Sequence, residues 1–464
     1  VFSIWQIMSL YSRASGTILE SADVLGQMVS EASIDATVEF TSSATNNNLG
    51  STNQTGFSGP VGTAYDASGN RLFVSDLANN RVLVFDLNLG GGDYYTADYV
   101  LGQPDFTSSS SGVTQTTMSQ PTGLAYDDSN SRLFVSDHGN NRVLVYDVRA
   151  AGSGSQSSCG TSTTGIADGM DASCVFGASD MVGGAPSGMP ATTDTPTGLA
   201  YDPTTKYLYV ASLLQNRVLV FDADTAVLTS NGMDAFHVYG QMDFTGTTAG
   251  WDDLVYGSDV PSARSLSSPQ DIVLDSAGGL LYIADSVNGR VVVHDVSNVT
   301  VGTGGDSAIY AIGKPDLNTF NWLDPLNDPG GPYTETPRQD SLFTPRGVAL
   351  DTTNGILYVS DSGYHRVTVY DVRSSGSGSQ SMCGVSGTGI ATGMNASCVF
   401  GQSNFTNTSS GTSSLKINAP YYLTYDGANS RMFSADYGNN RIMIFSTLAL
   451  SNNLEADNNL GQVT

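Results

Sequence analysis

Two groups of residues in this chain have a spacing that could do chemistry: aspartates set five positions ahead of arginines, and cysteines set fifteen apart. The first group is Asp76 with Arg81, Asp137 with Arg142, Asp285 with Arg290, Asp361 with Arg366 and Asp436 with Arg441. A planar guanidinium matches a carboxylate, so each couple is expected to form an ion pair. Equivalent pairs repeated along a chain do not converge on one reaction centre, and the role expected of them is structural. The cysteines lie in two near copies of one segment, CGTSTTGIADGMDASC from Cys159 to Cys174 and CGVSGTGIATGMNASC from Cys383 to Cys398. Duplicated local spacing favours a disulfide within each segment over the other two connectivities. The tight C-x2-C knuckle of most zinc sites is missing. Disulfides imply an oxidising compartment, and the sequons at Asn53, Asn298, Asn395, Asn404 and Asn407 agree with secretion.

Four histidines are present, His138, His237, His294 and His365, and they share no common register in the repeat described below. A three-histidine metal shell is therefore not expected. No G-x-S-x-G elbow, P-loop or HExxH segment occurs. The reading is of a non-enzyme with no catalytic, cofactor-binding or metal-ligating residues. Calcium is the one cofactor left open, at carboxylate loops such as Asp127-Asp128-Ser129-Asn130. A hairpin turn is the plainer role for those four residues.

The elements that position these residues recur. Blocks of one pattern span 60–86, 121–147, 196–222, 269–295, 345–371 and 420–446, as in PTGLAYDDSNSRLFVSDHGNNRVLVYD from Pro121. Each block reads as three strands: a short apolar strand ending on aspartate, a second strand after a Gly/Asn/Ser/Thr turn, and a third opening on arginine. Runs such as VLVFD are apolar almost throughout, as expected of strands covered on both faces. A fourth, outer strand follows each block after a loop, with motifs such as YVLGQPDF and HVYGQMDF. These blocks resemble NHL repeats, of the secreted bacterial or archaeal type. That resemblance implies an all-β fold, a six-bladed propeller of four-stranded antiparallel blades. The third block departs from the pattern, with Ser212 in place of the aspartate and Leu213 and Leu214 in the turn, a candidate contact patch.

One outer-strand motif is surplus. SADVLGQ, Ser21 to Gln27, precedes the first block, and a terminal copy, Asn459 to Thr464, follows the sixth. Conventional closure would complete the sixth blade with the N-terminal copy and leave the terminal copy without a place; the motifs alone do not decide which of the two closes the ring. Either the sixth blade then carries a fifth strand, or one copy pairs with a blade edge on a neighbouring molecule. Residues 1–20 form an apolar extension ahead of the propeller, 21–464. Its Val1, Phe2, Ile4, Trp5, Ile7 and Met8 join Val24, Leu25, Leu460 and Val463 as candidate assembly contacts, unless the extension folds back on its own ring.

The net charge of −26, from 44 acidic residues against 18 basic ones, opposes nucleic acid and anionic lipid as partners. No run is long and apolar enough for a membrane span. The chain starts at Val1 with no basic n-region, and is read as a mature product whose export signal has been removed. The expectation is an extracellular or cell-surface structural protein that binds copies of itself in a filament or layer. The alternatives are a monomeric module reading another protein or a glycan with face loops, and a metal-dependent lyase or hydrolase in the channel.

Overall fold

A run such as RVLVFD has two faces to bury, and it buries both by lying between neighbouring sheets. The computed structural model of the protein describes residues 52–461 apart from 89–95, 154–155, 159–160, 164, 182–192, 226–230, 247–260, 303, 319–336, 375–379, 384 and 388. Six four-stranded antiparallel sheets follow one another, each with its strands in chain order. Blade 1 comprises Pro60–Asp66, Arg71–Asp76, Arg81–Asp86 and Tyr99–Leu101, and blade 2 Pro121–Asp127, Arg132–Asp137, Arg142–Asp147 and Cys174–Phe176. Blade 3 comprises Pro196–Tyr201, Tyr207–Ser212, Arg217–Asp222 and His237–Tyr239, and blade 4 Pro269–Asp275, Leu280–Asp285, Arg290–Asp295 and Tyr310–Ile312. Blade 5 comprises Pro345–Asp351, Ile356–Asp361, Arg366–Asp371 and Cys398–Phe400, and blade 6 Pro420–Asp426, Arg431–Asp436, Arg441–Ser446 and Asn458–Leu460.

The first strand of each blade lines the centre and contacts the first strands of both neighbours, so the ring is closed between blades 6 and 1. Close approach there depends on glycine: a Cβ added to Gly62 would lie 2.0 Å from the Thr122 carbonyl oxygen, and one on Gly123 2.0 Å from that of Thr197. In every blade but the fourth, which has Gly289 there, the residue ahead of the third-strand arginine ties one blade to the next. Asn80, Asn141, Asn216 and Asn440 have φ between 52° and 55° and accept, through Oδ1, the backbone N–H of Gln120, Thr195, Ser268 and Gly59. In blade 5 the same position is His365, whose Nδ1 accepts the N–H of Ala419 at 2.9 Å.

Each third-strand arginine is a buried hub. Arg81 donates Nε to Asp76 Oδ2 at 2.8 Å, Nη1 to the Phe106 carbonyl at 2.6 Å, and Nη2 to the carbonyls of Asn53 and Gly56. Asp76 in turn accepts the Ser58 N–H at 2.6 Å. One guanidinium thus joins the hairpin turn, the loop entering the blade and the segment after the outer strand. The same pairing recurs at Asp137–Arg142, Asp285–Arg290, Asp361–Arg366 and Asp436–Arg441, at 2.6, 2.7, 3.0 and 2.7 Å. In blade 3 Ser212 takes the aspartate's place, and Arg217 Nε donates to Gln215 Oε1 at 3.0 Å. A second set of pairs sits at the other end of the second strand: Asp66–Arg71, Asp127–Arg132 and Asp426–Arg431. These reach across seams. Arg132 lies 5.8 Å from the Tyr201 ring of blade 3, and Arg431 lies 5.8 Å from the Tyr65 ring of blade 1.

The sixth blade decides which terminal copy completes it. Its outer strand is the C-terminal copy, Asn458–Leu460, paired with the third strand through Ile444↔Asn458, Met443↔Asn459 and Ile442↔Leu460. Only residues 447–457 separate these strands, so the loop to be closed is short and its entropy cost small. Beside the Gly59–Asn440 hydrogen bond, blade 1 packs on blade 6 through Phe57, which shares a core cluster with Phe85, Phe433, Ile442 and Leu460. The N-terminal copy, Ser21 to Gln27, and Val463 lie outside the described residues.

Candidate interaction site

The third residue of the inner strand is glycine in blades 1, 2, 3 and 5, but Asp271 in blade 4 and Tyr422 in blade 6. Both intrude on the channel. The Tyr422 hydroxyl donates to the Gln270 carbonyl at 2.6 Å, linking blade 6 to blade 4 past the intervening blade. Asp271 Oδ2 accepts the Val348 N–H of blade 5 at 2.9 Å. Burial pushes the Asp271 carboxyl up to about 8, against that hydrogen bond, so it is largely protonated at neutral pH. A cavity of about 250 Å³ extends along the channel, lined by Tyr65, Tyr126, Tyr201 and Tyr425 among others, with Asp271 and Tyr422 at the end nearer the prolines.

The face carrying the turns between second and third strands has two apolar features. Leu214 and Val287, 60% and 38% exposed, occupy equivalent turn positions in adjacent blades 3 and 4. Blades 1, 2, 5 and 6 have Ala78, Gly139, Gly363 and Gly438 there. At blades 5 and 6 the Arg346 guanidinium lies 4.4 Å over the Tyr421 ring, which is itself 4.4 Å from that of Tyr437. Arg346 Nη1 also donates to the Tyr421 hydroxyl. Arginine and tyrosine over partly exposed apolar surface is the composition of binding surfaces.

Of the sequence candidates, Leu214 is exposed, Leu213 half-buried, and Leu460 buried within its own blade. Val1, Phe2, Ile4, Trp5, Ile7, Met8, Val24 and Leu25 lie outside the described residues. Cys383 and Cys398 form a disulfide with Cα atoms 5.6 Å apart. Cys174 is also disulfide-bonded, and Cys159 lies outside the described residues. Asn298, Asn395, Asn404 and Asn407 are exposed and Asn53 is half-buried. Two of the four histidines come together, His237 and His294, whose rings lie 4.6 and 5.1 Å from that of Tyr239. Burial, with help from Arg290 and His237, pushes His294 down to about 3, so it is neutral. Among the described residues no cluster of three or more His, Cys, Asp or Glu could hold a metal. Asp127 is engaged in its turn, accepting the N–H groups of Ser129 and Asn130 and the Arg132 guanidinium. No helix among the described residues is long and apolar enough to cross a membrane.

The NHL repeat family matches residues 57–85, 118–146, 266–293 and 344–370, the hairpins of blades 1, 2, 4 and 5. The chain carries NHL repeats on a six-bladed β-propeller. The two blades outside those matches are the divergent ones, with Ser212 in blade 3 and Tyr422 and Ser446 in blade 6. No curated protein matches this propeller in sequence. Among solved structures, the hydrazine synthase of Kuenenia stuttgartiensis is 16% identical with a TM-score of 0.44, covering 86% of this chain and 99% of that one. A streptogramin B lyase is 13% identical with a TM-score of 0.42, covering 90% and 86%. A nidogen/laminin complex is 13% identical with a TM-score of 0.41, covering 83% and 95%. These likenesses are of fold alone. The hydrazine synthase and the streptogramin B lyase are enzymes, and the expectation of a non-enzyme is withdrawn.

Proposed function

We propose that this NHL propeller is an extracellular structural protein that assembles with copies of itself through its seventh outer-strand motif. One observation carries the reading. All six blades already have an outer strand, the last of them Asn458–Leu460, so Ser21 to Gln27 is needed by none of them. An outer-strand sequence with no vacancy in its own ring is suited to strand addition on a blade edge. Repeated head to tail, that contact is heterologous and extends into a filament, a layer or a large ring. The disulfide at Cys383–Cys398 supports an oxidising, extracellular setting. A charge of −26 on each subunit opposes close approach, so salt should promote growth. Light scattering and negative-stain imaging across a salt series test the reading. Mass that rises with salt and protein concentration is expected, and a monomer at every condition overturns it.

A second reading is favoured by the face bearing Leu214, Val287, Tyr421 and Tyr437: a module that binds another extracellular protein or a glycan there. Leu214→Ser with Val287→Ser would then abolish capture of the partner and leave self-assembly intact.

A further inference from the structure

In blades 1 to 5 the segment after the outer strand gives one carbonyl to the buried arginine and then turns. Phe106, Met181, Phe244, Leu317 and Phe405 accept Nη1 of Arg81, Arg142, Arg217, Arg290 and Arg366. Those contacts put five residues in one register, each just ahead of the bonded carbonyl: Asp105, Asp180, Asp243, Asp316 and Asn404. Asp105 Oδ1 accepts the N–H of Thr107 at 2.8 Å, Asp243 Oδ1 that of Thr245 at 2.7 Å, and Asp316 Oδ1 that of Asn318 at 2.7 Å. Asn404 makes the same turn, its Oδ1 accepting the N–H groups of Thr406 at 3.0 Å and Asn407 at 3.1 Å. Aspartate and asparagine both serve such a turn, since each accepts through Oδ1. What asparagine adds in blade 5 is Nδ2.

That nitrogen belongs to Asn404-Phe405-Thr406, an acceptor sequence for N-linked sugar. Blades 1 and 3 read Asp-Phe-Thr at the same place, 105–107 and 243–245, so a single exchange of aspartate for asparagine creates the sequon. Asn404 and Thr406 are both exposed, and so is every residue from 406 to 410. Thr406 Oγ1 donates to Asn404 Oδ1 at 2.9 Å, which holds the hydroxyl that the motif requires beside the amide. The other four sequons are placed less favourably. Ser397, which completes the one at Asn395, is buried, and its N–H donates to the Val369 carbonyl at 2.6 Å. Asn53 is half-buried, and its carbonyl accepts Nη2 of Arg81 at 2.9 Å. The amide nitrogens of Asn298 and Asn407 donate to Ser297 Oγ at 3.1 Å and to Ser403 Oγ at 2.5 Å.

We infer that Asn404 is a glycosylation site and carries an N-linked oligosaccharide beside the outer strand of blade 5. The inference rests on the extracellular reading above and names the residue modified and the class of donor. Nδ2 attacks the anomeric carbon of a lipid-phosphate-linked oligosaccharide held by a membrane transferase. The C–N bond forms as the bond from that carbon to the phosphate oxygen breaks. The lipid phosphate leaves with the electron pair, and one Nδ2 proton passes to a base on the transferase. A bulky hydrophilic group on this exposed turn displaces nothing buried. With the Phe405 carbonyl tied to Arg366 at 2.7 Å, the sugar stands on a fixed point.

The protein purified from the cells that make it provides the test. Peptide mapping with electron-transfer fragmentation, which leaves sugars on their residues, should place a glycan on Asn404 and none on Asn395. Two full-length variants made in the same cells should each lose the mass of that glycan. Asn404→Asp restores the residue of the other blades and should melt with the unaltered protein, while Thr406→Val leaves Asn404 in place and breaks only the motif. If residue 404 carries no sugar, with or without sugar on other sequons, the inference fails. Alkylation of Cys383 and Cys398 in the same sample keeps the two failures apart. A bridged pair leaves the extracellular reading standing, and free thiols remove that reading together with the inference.

Discussion

Tyr422 of blade 6 donates its hydroxyl hydrogen to the Gln270 carbonyl of blade 4, 2.6 Å away, and so spans the channel past blade 5. The bond skips a blade, which makes it a cross-brace. Removing the hydroxyl with Tyr422→Phe leaves a carbonyl without its partner in a buried place. A loss of about 1–3 kcal/mol is expected, read as a lower urea midpoint with an unchanged slope. An unaltered midpoint would show that the brace contributes nothing.

The hub arginines predict a contrast between two substitutions of the same kind. Arg366 donates to Asp361, Phe405, Arg338 and Ser341 in the interior. Arg366→Lys keeps the charge but has no planar fork to reach all four, so a loss of about 3 kcal/mol is expected. Arg338 and Asp340 pair at 2.8 Å on the surface, with side chains 59% and 44% exposed. Arg338→Lys should leave chemical denaturation unchanged within error. Equal losses at the two sites would refute the hub.

What could be read from the residues and what could not follows from this arrangement. The six blades were legible because each strand repeats the same apolar run, and the Asp76–Arg81 set because it recurs at one spacing in five blades. The pairs at Asp66–Arg71, Asp127–Arg132 and Asp426–Arg431 share that spacing but occupy only three blades, so no series made them conspicuous. Asp271 and Tyr422 carried a signal that was missed: each replaces the third-position glycine of its inner strand. His365 was weighed as a possible ligand, whereas its place in the turn makes it the equivalent of Asn80 and Asn141, a tie between blades. Which terminal copy closes the ring was not readable from motif identity, since both copies match. The shortness of 447–457 was the discriminating feature, because a nearby strand pairs at lower entropy cost.

The disulfide at Cys383–Cys398 lies in the loop that caps blade 4. Cys398 opens the outer strand of blade 5, and the same loop supplies Thr392 and Gly393 to Ala311. Replacing both cysteines by serine should release about 3 kcal/mol of loop constraint. The loss should be local: amide exchange at Gly393 and Ala311 speeds up, while Val292 and Val359 in the strands remain protected. Uniform deprotection of the ring would show instead that the bridge supports the whole fold.

The channel carboxyl predicts a pH dependence of definite sign. Burial raises Asp271 to about 8, well above its ordinary 3.8, so the folded chain holds a proton that the unfolded chain releases near pH 4. Its contribution to stability is complete below pH 4 and is lost as the pH rises toward 8, at about 1.4 kcal/mol per unit within that window. Other groups titrate in the same range. His138 and His365 are pushed down by burial and act in the opposite direction, since a folded state that disfavours their protonated form gains stability as pH rises. A difference measurement removes them. Asp271→Asn keeps an oxygen for the Val348 N–H and imitates the protonated acid at every pH, so the gap between it and the unaltered protein isolates the carboxyl. The variant should be the more stable at pH 8 and lose that advantage steadily toward pH 4. A gap that does not change between these limits would mean that Asp271 is ionised in the channel, with a counter-charge holding it there.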